Sequence, residues 1–228
     1  MNPATEEHTG GYRESAPRRR RVVVSVITLA AGAVALAWTT RIEPGDRMFY
    51  VAGAVLAGIW AAGALLSGPL RLGRVPGRPG DSRARAVAQA VALGSALLAV
   101  FLLGGLIVSR LAVLREPVAH LLAHGRTADS LALVLTVAAV NGIAEELYFR
   151  GALYAALPAR HAVVGTTLIY TAVTAASGIV LLAFAALVLG AVTGLQRHRT
   201  GGILGPIVTH LIWSGGMVLL LPPILGTS

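Results

Sequence analysis

Apolar positions fall in blocks of about bilayer length, separated by short polar stretches. The blocks cover residues 22–39, 48–67, 86–109, 131–157, 161–176, 179–196 and 203–221. A hydrocarbon core about 30 Å thick needs roughly 20 apolar residues in a helix. The pattern therefore predicts an all-α polytopic membrane bundle of about seven transmembrane helices, within a range of six to eight. The run 131–157 is longer than a bilayer requires, so it tilts or its end from Gly151 lies at the interface. The two runs around Ser177-Gly178 read as a tight helical hairpin, and Pro222-Pro223 closes the last span. No repeat at a fixed period is visible.

The polar stretches divide the chain further. Residues 1–21 form a basic tail ending in four arginines, and residues 22–109 hold the N-terminal spans. Residues 68–85 carry five arginines and three prolines and read as a linker. Residues 110–129 form an amphipathic connection with His120 and His124 at i, i+4, a spacing that can hold a metal. These histidines flank Leu121, Leu122 and Ala123 with no carboxylate triad nearby, so the plainer reading is a loop-side helix face.

Composition sharpens this picture. The chain is 55% hydrophobic and 13% charged, with a mean hydropathy of +0.73, against about 25% charged in soluble domains. Its net charge of +9 comes from 19 arginines and no lysine, and there is no cysteine. The arginines adjoin apolar blocks, which fits the lipid bilayer and its anionic headgroups as partner and argues against nucleic acid. With the N-terminus inside and seven spans, only Arg41, Arg47, Arg110, Arg115 and Arg126 lie outside, as the positive-inside rule expects. The all-arginine complement fits a GC-rich bacterial genome and a multi-pass protein of the bacterial cytoplasmic membrane.

Candidate chemistry concentrates in N-G-I-A-E-E-L-Y-F-R, residues 141–150. Of ten acidic residues, Glu145 and Glu146 are the two set within hydrophobic sequence. An ionisable side chain at membrane depth costs a few kcal/mol, and its default reading is functional. Two adjacent carboxylates cost more, because like charges in a poorly solvated place resist joint ionisation. On a helix Arg150 shares a face with Glu146 and holds that carboxylate charged. Glu145 points about 100° away and is left to take a proton from water.

Other intramembrane polar groups come in pairs at helical spacing. His210 and Ser214 stand four apart, as do Tyr170 and Thr174. Three such pairs in three spans can converge on one cavity. For Tyr170 and Thr174, interhelical packing at about 0.6 kcal/mol per hydrogen bond is the favoured reading, whereas His210 and Glu145 read as functional.

The segment E-E-L-Y-F-R followed by G-A-L fits E-E-x-x-x-R and resembles the first motif of the CAAX protease and bacteriocin-processing (CPBP, or Abi) family of intramembrane endopeptidases. The resemblance covers roughly residues 119–221 as a catalytic-type membrane domain. Where that family has an aromatic residue and then His four on, this chain has Tyr170 and Thr174; where it has His and then Asn or Asp, this chain has His210 and Ser214. The resemblance implies that Glu145 activates a water against a peptide carbonyl, that Glu146 and Arg150 support it, and that His210 with Ser214 stabilises the oxyanion. The implied substrate is a peptide or membrane protein. No cofactor is expected: zinc would find only Glu145 and His210 as ligands, where catalytic zinc sites use three. Because Thr174 stands in the place of a histidine, the alternatives are an inactive member that binds peptides or membrane-protein partners and, less well supported, a small transporter.

Overall fold

A computed structural model describes residues 18–71, 83–125 and 128–226. Its helices are α1 (Arg18–Thr39), α2 (Met48–Ser67), α3 (Arg83–Val108), α4 (Ala112–Leu122), α5 (Ala128–Glu146), the single turn α6 (Tyr154–Ala156), α7 (Ala162–Ala175), α8 (Val180–Thr200) and α9 (Leu204–Ile224). The described residues are helical with connecting turns, as the block pattern predicts. Six helices are long and apolar enough to cross a membrane, and their lipid-facing sides carry exposed residues such as Ile27, Leu65, Leu103 and Ile107.

Several boundaries differ from those read in the sequence. Arg18–Arg21, assigned to the tail, form the first turn of α1, and Arg83–Arg85, assigned to the linker, open α3. The rest of the tail and linker residues 72–82 lie outside the described residues. α7, read as a span, has only 14 residues. At 1.5 Å per residue it rises about 21 Å, short of the hydrocarbon core. It stops there because the chain turns sharply: Gly178 takes φ +77°, and the Ile179 N–H donates to Ser177 Oγ at 3.1 Å. α7 and α8 thus form the expected hairpin. Pro222 and Pro223 do not end α9 but sit in its last turn.

Helix α5 does not simply stop at Glu146. It passes into a π-helical segment, Leu147–Leu153, where the Tyr154 N–H reaches back five residues to the Phe149 carbonyl. The extra residue per turn rotates the chain so that Tyr148, Phe149, Arg150, Gly151, Ala152 and Leu153 are all buried. Such segments are rare and recur at functional sites. Aromatic rings hold this one. Trp60 of α2 lies 5.1 Å from both Tyr148 and Phe149, and Phe149 lies 4.6 Å from Tyr170 of α7. The Tyr148 hydroxyl donates to the Ser25 carbonyl of α1 at 2.8 Å.

Close helix contacts depend on small residues. A Cβ on Gly32 would sit 2.1 Å from the Trp60 ring, so α1 can cross α2 only with glycine there. Gly53 of α2 faces Val137 of α5, and the Asn141 side-chain amide donates to the Gly53 carbonyl at 3.0 Å. α9 lies against both α3 and α5, with Thr209 Oγ1 donating to the Ala90 carbonyl at 3.1 Å. The fold therefore sets the end of α5 between α2, α7, α8 and α9.

Candidate active site

Glu146 and Arg150 are both fully buried and paired, Arg150 Nη1 donating to Glu146 Oε1 at 3.0 Å. This is the contact expected from their spacing. From α9, His210 approaches the same oxygen, with Nδ1 at 2.9 Å. A carboxylate only accepts, so the contact puts a proton on Nδ1 and turns Nε2 outward. Nε2 then faces Glu145 Oε2, 4.0 Å away. Gly142 of α5 packs beside the His210 ring.

Glu145 is not free, contrary to the simplest reading of the motif. The Tyr170 hydroxyl donates to its Oε2 at 2.5 Å. Tyr170 thus makes the interhelical hydrogen bond that the packing reading expects, and its partner is Glu145, a contact between two helices that no periodicity within either one reveals. Arg150 lies beneath, its guanidinium carbon 4.9 Å from the Tyr170 ring centroid. A cation over an aromatic face in a desolvated site is worth about 2 kcal/mol. Gly190 of α8 packs against both groups.

The remaining candidates are placed less directly. Thr174 is buried one turn after Tyr170, but the hydrogen bond on Glu145 comes from Tyr170. Ser214 stands one turn after His210 with a buried Oγ that has no hydrogen-bond partner among the described residues. Glu146 Oε2, Arg150 Nε and Nη2, and Asn141 Oδ1 share that condition. Buried polar atoms are nearly always satisfied, and four of the residues with an unpartnered one lie in or one turn from the carboxylate and His210 segments.

One contributor escaped the sequence reading. Arg197 of α8, counted there only for topology, donates from Nε to the Arg150 carbonyl at 2.9 Å and covers the Tyr154 ring at 4.9 Å. It satisfies backbone that the π-helical segment displaces.

His120 and His124 do not converge. His120 Nε2 meets Glu43 Oε2 at 3.2 Å, while His124 stacks on Phe49 at 3.7 Å. Nor does the main cluster fit zinc: Glu146 is engaged by Arg150 and His210, Glu145 by Tyr170, and among the described residues no three His, Asp or Glu side chains stand as a metal-holding group. A groove of about 540 Å³ lies elsewhere, on the outer face of α1 and α2, lined by Ala30, Val34, Trp38 and Ile59. Its wall is apolar, and the cluster is not part of it.

Membrane-length helices enclosing a buried carboxylate, guanidinium and imidazole cluster define an integral membrane protein with an intramembrane ionisable site. Residues 127–216 match the family described as type II CAAX prenyl endopeptidase Rce1-like. Over those residues the chain is similar to CAAX-type intramembrane proteases. No curated protein and no solved structure matches the chain.

Proposed function

We propose that the protein is an intramembrane endopeptidase of the CPBP type, working on a peptide or membrane-protein substrate. The observation that carries this reading is Glu145, a carboxylate at membrane depth with one oxygen engaged by Tyr170 and His210 Nε2 on the same side. Glu145 takes a proton from a water while the water oxygen attacks the peptide carbonyl, and it returns that proton to the amine as the C–N bond breaks. His210 Nε2 accepts a hydrogen bond from the water's other O–H, which stays on the oxygen that joins the carbonyl carbon. Ser214 Oγ supplies a donor to the developing oxyanion, where one such bond lowers the barrier by about 3 kcal/mol. Glu146 and Arg150 cancel each other's charge and hold His210 in the tautomer this requires. With the N-terminus inside, the cluster belongs to the cytoplasmic half of the bilayer, in a bacterial cytoplasmic membrane.

One observation favours a second reading. Thr174 cannot carry a proton near neutrality, so a member that binds peptides without cutting them is the alternative. The discriminating measurement is cleavage of a mixed pool of membrane-associated peptides by the purified protein beside Glu145→Ala and Thr174→His. Cutting by the wild type and not by Glu145→Ala supports the peptidase. An inert wild type beside an active Thr174→His variant makes the chain a binding protein with an intact cavity.

A further inference from the structure

We infer that Tyr170 is the positioning residue for Glu145, deciding which carboxylate oxygen is open to react. The inference rests on the proposed peptidase reading for its chemistry, but its geometry stands apart from it.

A glutamate has three rotatable bonds, and an unanchored carboxylate presents its two oxygens interchangeably. Here the Tyr170 hydroxyl holds Oε2 at 2.5 Å, and His210 Nε2 stands 4.0 Å from the same oxygen. The hydroxyl thus occupies Oε2, which leaves Oε1 as the oxygen available to take a proton from water. The phenol that imposes this choice is itself locked. Phe149 packs on its ring at 4.6 Å, and Arg150 lies over it at 4.9 Å. Phenol, guanidinium and carboxylates come from α7 and from α5 with its π-helical continuation. The π-helical turn, by carrying Phe149 and Arg150 inward, is what brings the ring and the carboxylate to one point.

The location of Tyr170 also bears on Thr174. The two share one face of α7 a turn apart, yet it is Tyr170 that reaches Glu145. An O–H donor on the carboxylate is already present in this chain, so a histidine at 174 is not needed to anchor Glu145. In the hydrolytic step the proton from water goes to Oε1 and then to the leaving amine; Tyr170 keeps its own proton throughout and contributes by holding Oε2.

Tyr170→Phe tests this, because it keeps the ring and its packing and removes only the hydroxyl. The first readout needs no substrate: the rate at which a hydrophobic carbodiimide labels Glu145 in the intact protein, followed by peptide mass spectrometry. Loss of a hydrogen bond to a charged group corresponds to about tenfold or more, so labelling in Tyr170→Phe should change by about that factor. The second readout is peptide cleavage, where kcat should fall by about tenfold or more with KM nearly unchanged, and where Tyr170→Phe/Thr174→His should recover activity. Equal labelling of the two proteins overturns the inference, as does equal cleavage. If labelling changes but the wild type cuts nothing, the positioning role stands and the peptidase reading falls.

Discussion

Two acid–base contacts among the described residues, one inside the bundle and one at its surface, have nearly the same length in opposite surroundings. Glu146 and Arg150 meet at 3.0 Å with both side chains fully buried, whereas Glu43 and His120 meet at 3.2 Å with the glutamate 84% and the histidine 44% exposed. Distance alone would rank them together. Burial separates them: the inner charges have left water entirely and depend on each other, while the outer ones keep most of their hydration and gain little by meeting. The inner pair therefore acts as a framework on which His210 and the Tyr170 ring are mounted, and the outer pair is a surface contact near the turn between α1 and α2.

The most direct way to break the comparison is Arg150→Met. It strands the Glu146 charge in the bundle and should cost about 3–5 kcal/mol in denaturant unfolding from detergent micelles. Adding Glu146→Gln should restore part of that loss, and simple additivity of the two substitutions would show that they are not coupled. Next in size, His210→Phe removes a hydrogen bond to the same carboxylate oxygen and should cost about 1–3 kcal/mol, read by the same unfolding.

Acid sharpens the contrast at the outer end. His124 is buried against Phe49, and burial first of all, with nearby His120, pushes its pKa below the ordinary 6.5, against the Ile42 carbonyl, Glu43 and Asp46, which act the other way. A depressed histidine is protonated more readily in the unfolded chain. Its contribution to stability is thus complete above pH 6.5 and declines as the pH falls below that value. His124→Phe, which keeps the stack, should flatten that part of the stability profile. The smallest effect belongs to Glu43→Gln, expected to change stability by less than about 1 kcal/mol and to lose even that in high salt.

Much of this was legible in the sequence. The apolar block at 48–67 coincides with α2, because the flanking polar loop and Gly68 both break the helix. The Glu146–Arg150 pair followed from its four-residue spacing, since that contact is local to one helix. What stayed hidden arises between helices. Spacing places Tyr170 on a face of α7 but cannot say that the face meets Glu145, and an arginine near the end of α8 carries no sign that it serves the Arg150 carbonyl. The π-helical turn was hidden for the same reason: residues 147–153 satisfy an ordinary helical pattern, and enclosure by neighbouring helices selects the wider turn. α7 misled in the other direction, its apolar content suggesting a full crossing that its 14 residues do not make.

The place of His210 on α9 has a consequence for biosynthesis. The glutamate and arginine lie one turn apart and can neutralise each other as soon as α5 leaves the ribosome, so that stretch enters the lipid with its charges already matched. The imidazole arrives about sixty residues later, 64 positions after Glu146, on the last of the described helices. Because synthesis runs from the N-terminus, the carboxylates wait for their third partner until α9 is in place. The nascent chain thus completes its buried ionisable cluster only after the neighbouring segments are in place.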